Sequence, residues 1–294
     1  MPSRNEEFLK QTTDDLLTKI QGDTEILVAL DNWEIERPIL DPRIKVCDTF
    51  RGQRGATNAL ARLSQKKYVL KLDAHVSFSD GFDVEMEKDM QDDIVLVPAL
   101  GNLHAYNWVC EKGHKHFQGK YEECEQCGSK ELTKEIVWQI IPKPIMSSFY
   151  FDTTLHFQYS EIQSTELVSE TMSLQGSCFM TSRKMYWERE LCDETLGSWG
   201  SQGTEVACKT WLSGGRVLST KKAFYGHQFR ETEGFPYLNP VESIFKARET
   251  VQSVFLNNAW PKQIRSIQWL ISKFGYPGDW SEEAVDKLCK PFIR

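Results

Sequence analysis

The sequence contains no apolar run approaching the roughly 18 residues that a membrane-spanning helix needs, and no secretory leader precedes Met1-Pro2-Ser3. These absences lead us to expect a cytoplasmic chain with no membrane partner. Internal repeats and low-complexity tracts are also missing, which excludes solenoids and long flexible linkers. There is no excess of positive charge: 35 Lys and Arg stand against 42 Asp and Glu, a net −7. That balance speaks against a broad nucleic-acid-binding surface, although a local basic groove would not show in the total. Nor is there a disulfide framework. Of eight cysteines, Cys110, Cys124 and Cys127 cluster with histidines, while Cys47, Cys178, Cys192, Cys208 and Cys289 are scattered. This pattern fits a metal site plus reduced thiols.

What is present is an ordinary globular composition, 40% hydrophobic and 26% charged over 294 residues, enough for one large domain or two small ones. A helical pattern over Phe8 to Ile20 precedes a buried strand from Glu25 to Asp31 that ends in an acid. Ile44 to Val46 reads as a short strand, Gln53 to Ser64 as an Ala- and Leu-rich helix, Tyr68 to Leu72 as a strand and Ile94 to Pro98 as the next. Strands alternating with helices at this spacing predict an α/β fold with a mostly parallel central sheet flanked by helices. Beyond Arg230, helical spacing returns over Val241 to Leu256 and Pro261 to Phe274. Tyr276 to Trp280 breaks it before a last helix from Ser281 to Cys289, which Ser281 suits as N-cap.

The chemistry concentrates after Tyr68 to Leu72. Asp73 and His75 lie two apart, so an extended backbone points both to one side. At the carboxyl end of a strand in an open α/β sheet, an acid and an imidazole are placed to hold a divalent cation against a phosphate-bearing ligand. Ser79-Asp80-Gly81 then turns the chain.

Arg4-Asn5-Glu6, Asp31 closing a strand, Arg51-Gly52 with Asn58, and Leu72-Asp73-Ala74-His75 together resemble the nucleotide-binding half of family 2-type glycosyltransferases of the GT-A fold. The Asp-x-His form is closest to the mucin-type polypeptide N-acetylgalactosaminyltransferases. A second block agrees: Gln175-Gly176 to Met180, Cys192 to Gly200, Glu205, Trp211, Gly214-Gly215, and Gly226-His227 to Arg230. The resemblance covers roughly residues 2 to 230 outside one insertion. It implies a metal-dependent transferase with a nucleotide-diphosphate sugar as donor. Asp73, His75 and His227 would hold manganese, with magnesium as the alternative, to neutralise charge on the leaving diphosphate. Arg230 would add a fixed cation, and Asp31 would accept from nucleobase or ribose, which favours a uridine-diphosphate carrier. Arg4, Glu6, Arg51, Asn58, Ala74 and Gly176 complete the implied donor site.

Trp199 and Gly200 open the segment that lies beside the transferred sugar in that family. There the relatives read Trp-Gly-Gly-Glu and this chain reads Trp-Gly-Ser-Gln. The Gln202 amide can contact a sugar hydroxyl but cannot act as a base. Glu205 is the alternative base, or else a structural residue at a helix start, and the resemblance to the mucin-type enzymes implies retention of configuration without such a base. A second departure is at the front, where Met1-Pro2 leaves almost nothing of the family's first strand.

The insertion carries Cys110, His114 and His116, then Cys124 and Cys127, read as two facing knuckles of a structural Cys₃His zinc ribbon, with His114 preferred over His116 as fourth ligand. Lys112, Lys115 and Lys120 with the two histidines give it a basic patch. Phe149 to Tyr159 reads either as an aromatic acceptor wall or as buried strand packing. The resulting organisation is a nucleotide-binding half (1–100), the ribbon (101–145), an acceptor or catalytic half (146–231) and a helical C-terminal extension (232–294). The extension is open to three roles: covering the site, pairing subunits or touching acceptor. The acceptor expected is a hydroxyl, with a hydroxymethylated pyrimidine in DNA, as modified by phage enzymes with this type of fold, set beside glycan and protein acceptors. A binding protein that has lost activity and uses the ribbon as an interaction module is the reading from another class.

Overall fold

The computed structural model describes residues 1–35, 41–49, 52–230 and 241–293. Arg51 falls outside these residues. Two sheets share one apolar core that runs from Met1 and Leu9 through Phe78 and Trp211 to Trp280. The smaller sheet is wholly parallel: Pro2–Ser3, Ile26–Asp31 and Ile44–Thr49. Its first strand has two residues, Pro2–Ser3, and the Met1 amine donates to the Leu27 carbonyl at 2.9 Å.

The larger sheet has the path Val168–Glu170, Arg216–His227, Ile94–Cys110, Cys178–Ser182, Tyr68–Leu72. Parallel pairing recurs between Arg216–His227 and Ile94–Cys110, and the other partners run antiparallel. The strand Ile94–Cys110 is fully buried through Leu100, then continues outward through the boundary placed at residue 100, and Lys115–Phe117 and Leu132–Ile140 pair with that extension. The insertion is therefore grown from a strand of the central sheet. At its base Phe8, Leu103, Ala105 and Tyr106 are buried with Trp108, Trp138 and Ile140 against them, so the ribbon has an aromatic footing besides any metal.

Helices Leu9–Lys19, Gly52–Leu63 and Val241–Leu256 lie close to their expected positions. Helix Glu282–Leu288 begins as expected, with the Ser281 hydroxyl accepting from Ala284 N. The pattern over Pro261 to Phe274 yields helix only over Ile267–Lys273, because Ser266 caps Trp269 N and fixes the start there. No helix among the described residues is long and apolar enough to cross a membrane.

Candidate active site

Three strand ends build the metal-capable triad. Asp73 follows Tyr68–Leu72, His75 precedes Val76–Phe78, and His227 ends Arg216–His227, whose antiparallel register sets His227 opposite Val76. Gln228 N donates to the His75 carbonyl at 3.1 Å and locks that register. One ligand atom from each of Asp73, His75 and His227 lies within 4.8 Å of the others. His227 Nε2 is 3.4 Å from Asp73 Oδ2, and the two imidazole rings are 4.7 Å apart. Burial pushes the His227 imidazole down to about 4, so it is neutral near pH 7 with a lone pair to give. Burial opposes ionisation of Asp73, but the Lys71 ammonium and the His227 contact hold its carboxyl well below the usual range. A carboxylate oxygen and two imidazole nitrogens suit a divalent ion of the manganese type.

The triad forms one wall of a cleft of ≈ 530 Å³ that also takes in Arg4, Glu6, Asp31, Ala74, Trp199 and Arg230. Glu6, expected to touch donor, is instead buried and engaged. Its Oε2 lies 2.9 Å from His75 Nδ1, and its Oε1 accepts from Arg230 Nη2. Burial opposes its ionisation, while His75 and Arg230 hold its carboxyl below the ordinary range. A carboxylate behind a metal-facing histidine fixes the ring and leaves Nε2 for the ion. The same carboxylate aims Arg230. Asp31 accepts from Gly52 N at 3.1 Å and faces Arg4 at 3.9 Å. Thr12 Oγ1 donates to the Ala74 carbonyl at 2.8 Å and pins the segment between the metal-facing residues.

Several expected site residues are placed elsewhere. Asn58 is buried away from the cleft, its amide donating to the Cys192 carbonyl and Glu194 while its oxygen accepts from the Tyr186 hydroxyl. Glu205 is 0% exposed and accepts from Arg54 Nε (2.8 Å), Asp193 N (2.7 Å) and Lys209 Nζ (2.9 Å). A carboxylate enclosed by two cations and an amide cannot reach a substrate, so it is no base. Gln202 is buried, its amide nitrogen donating to Cys192 Sγ at 3.0 Å while its Oε1 has no partner among the described residues, and it lines a cavity beside Trp199. Gly176 is a point of close approach: a Cβ there would lie 2.9 Å from Gly203 N.

Two residues of the site escaped the sequence reading. Arg54 donates to the Gly197 carbonyl (2.9 Å) and the Gly200 carbonyl (2.8 Å), and so sets the loop that carries Trp199. Lys71 sits beneath Asp73. The signal for both was a cation placed in an apolar pattern, Arg54 within an Ala- and Leu-rich helix and Lys71 between Leu70 and Leu72.

Two further cavities adjoin the triad. One of ≈ 370 Å³ shares Asp73 and Trp199 with the cleft and is walled by Phe157, Gly176, Gly203, Ile244 and Arg248. Ile244 and Arg248 belong to helix Val241–Leu256, so the C-terminal extension closes one side of the site. Its packing is tight, since a Cβ at Gly197 would lie 2.8 Å from Ala247 Cβ. The other cavity, ≈ 570 Å³, runs from His227 and Phe229 past Tyr159 to the ribbon's Phe117. In the Phe149 to Tyr159 hairpin, Phe149 and Phe151 are core, whereas Phe157 and Tyr159 line cavities.

In the ribbon, ligand atoms of Cys110, His114, Cys124 and Cys127 lie within 4.8 Å of one another. Cys110 Sγ and Cys127 Sγ are 3.8 Å apart, about the edge of a tetrahedron with metal–sulfur bonds of roughly 2.3 Å. His116 is buried, with Nε2 3.1 Å from Cys124 Sγ, and is placed to contact that sulfur directly. The expected basic patch is largely balanced. Lys115 pairs with Glu135 (2.6 Å), Lys134 with Glu7, and Glu111, Glu122, Glu123, Glu125 and Glu131 share the segment.

No family model matches the chain. Among curated proteins it is 23% identical over 220 residues, 72% of this chain, to the putative polypeptide N-acetylgalactosaminyltransferase 13 of Drosophila melanogaster. It is 31% identical over 81 residues, 28% of this chain and 12% of the relative, to polypeptide N-acetylgalactosaminyltransferase 3 of the same species. The chain spans only 33% of the length of the first. Among solved structures, that of GalNAc-T7 with UDP, GalNAc and Mn2+ matches with a TM-score of 0.67 and 18% identity, covering 94% of this chain and 56% of that one. The fold is that of the GT-A glycosyltransferases.

Proposed function

We propose that the protein is a metal-dependent glycosyltransferase that moves a sugar from a uridine-diphosphate donor to an acceptor hydroxyl. The observation that carries this reading is the assembled triad of Asp73, His75 and His227, with Arg230 aimed beside it in a cleft of ≈ 530 Å³. GalNAc-T7, which shares the fold, was crystallised with UDP, GalNAc and Mn2+. A divalent ion on the triad would supply Lewis-acid neutralisation of the leaving diphosphate. Arg230 pairs with the same oxygens as charge builds on them, Glu6 holds Arg230 and His75 in register, and Asp31 and Arg4 take the nucleoside end. The sugar lies against Trp199, Gly176 and Gly203. Among the described residues lining the cleft and the cavity beyond Trp199, the carboxylates are Glu6, Asp31 and Asp73, all of them committed. With none left to activate an acceptor from the far side of the sugar, we take the course to be retaining. In the ribbon, Cys110, His114, Cys124 and Cys127 hold a structural zinc.

For the acceptor we take a hydroxymethylated pyrimidine in DNA. The support is the cavity under the ribbon, where the rings of Phe117, Tyr159 and Phe229 lead to His227 and could receive a base drawn from the stack. Lys112 and Lys120 of the ribbon stand exposed. The decisive experiment incubates the protein with manganese and a panel of nucleotide sugars, first alone and then with hydroxymethylpyrimidine DNA, unmodified DNA, glycans or peptides. Slow hydrolysis of one donor supports the enzyme, and transfer to modified DNA alone supports the acceptor. Neither binding nor hydrolysis of any donor would leave a GT-A fold that only binds partners.

A further inference from the structure

Lys71 lies in the strand Tyr68–Leu72 between two leucines, with its side chain 0% exposed. Burying an ammonium costs several kcal/mol unless it is paired and hydrogen-bonded, so its partners reveal what it is for. Strand alternation puts residues 71 and 73 on one side, and Lys71 Nζ is 2.5 Å from Asp73 Oδ1. The pairing of Lys71 with Phe179 brings the preceding loop overhead, and the same Nζ donates to the Gly176 carbonyl at 2.6 Å. Asp73 therefore has one oxygen bound to a cation, while the other, Oδ2, faces His227. The neighbouring acids are matched likewise, Glu6 by Arg230 and Asp31 by Arg4. Each of the three acids of the cluster thus has its own cation.

We propose that Lys71 is the positioning residue that couples metal binding to nucleotide binding. By occupying one oxygen of Asp73 and cancelling its charge, it leaves a single-oxygen ligand in a cluster whose acids are already matched by cations, with little attraction for a bare divalent ion. A nucleoside diphosphate restores the missing negative charge, so ion and nucleotide bind tightly only together. Coupling of this kind is reciprocal. The inference rests on the metal-dependent reading of the triad.

The test is titration of Mn2+ by the paramagnetic resonance signal of the free ion, with and without saturating UDP, on the wild-type chain, Lys71→Met and Lys71→Gln, with circular dichroism to confirm folding. For the wild type, UDP should tighten Mn2+ binding by on the order of 10-fold or more. In either neutral variant, bare Mn2+ should bind roughly 10-fold more tightly and most of the UDP effect should vanish. Folded variants with unchanged affinity and coupling would reduce Lys71 to a packing residue and overturn the inference. So would a wild-type chain that binds Mn2+ equally well with and without UDP, a result that needs no variant to fold. Absence of Mn2+ binding even with UDP would instead defeat the metal-dependent reading itself.

Discussion

The two metal-capable clusters are assembled by opposite means. The ribbon draws Cys110, His114, Cys124 and Cys127 from two tight turns whose ends are 17 residues apart, and it encloses its four ligands. The triad draws three ligands from separate strand ends, brought together by the register of Arg216–His227 against Val76–Phe78, and it opens into a cleft. A locally closed set of four saturates a tetrahedral ion and serves folding. A set of three gathered across the sheet leaves coordination positions free for a ligand. The contrast teaches that the ribbon's four ligands are gathered by local turns, whereas the triad is gathered by the register of the sheet.

The contrast breaks most sharply at the triad. His75→Ala or His227→Ala should lower manganese-dependent donor hydrolysis by on the order of 10³-fold while the melting midpoint moves by only about 2 °C. Asp73→Ala should lose the same activity and also about 3–5 kcal/mol of stability, because it strands the buried Lys71 ammonium. Thermal melting beside the hydrolysis assay separates the two cases, and equal midpoints would break the distinction. Next in size, Cys124→Ser should release the ribbon's zinc and cut hydrogen-exchange protection in Lys115–Phe117 and Leu132–Ile140 by on the order of 100-fold, with UDP affinity unchanged. Metal analysis and exchange mass spectrometry read both arms. Smaller again, Glu6→Gln frees the His75 ring and should weaken Mn2+ affinity in the presence of UDP by roughly 10- to 100-fold, visible in the same resonance titration. Smallest, His116→Ala should keep zinc with an affinity about 10-fold lower, whereas His114→Ala should lose it. Competition with a chromogenic chelator ranks the two, and the reverse order would reassign the fourth ligand.

Features that depend on neighbours in sequence were legible before any coordinates. The knuckles, the helices Leu9–Lys19 and Val241–Leu256, and the strand that presents Asp73 all follow from local spacing. Contacts across the sheet were harder. Glu205 looked like a spare base because nothing in its helix announces that Arg54 donates to it from 151 positions away. That one end of Gln202 is taken up, its amide nitrogen donating to Cys192 Sγ, likewise shows only in the packing. The strand Ile94–Cys110 looked five residues long because a proline usually ends a strand, yet Pro98 is accommodated in the ladder opposite Thr220, next to a register shift. The basic patch overstated the ribbon's charge because Glu135 joins Lys115 only through the pairing of the two outer strands with Ile94–Cys110.

The ribbon leaves and rejoins the sheet at facing residues, for Leu103 lies directly opposite Ile140 and Ile141 N donates to the Asn102 carbonyl at 2.8 Å. It is therefore a removable cassette. Excising 104–139 and joining the stumps through a two-residue Asn-Gly turn would close an ordinary hairpin, with Phe8, which loses its cover of Tyr106 and Trp138, replaced by a polar residue. The same junction would let a ribbon from another protein be grafted in its place, exchanging what stands over the cavity beside His227 without disturbing the strands that carry the triad.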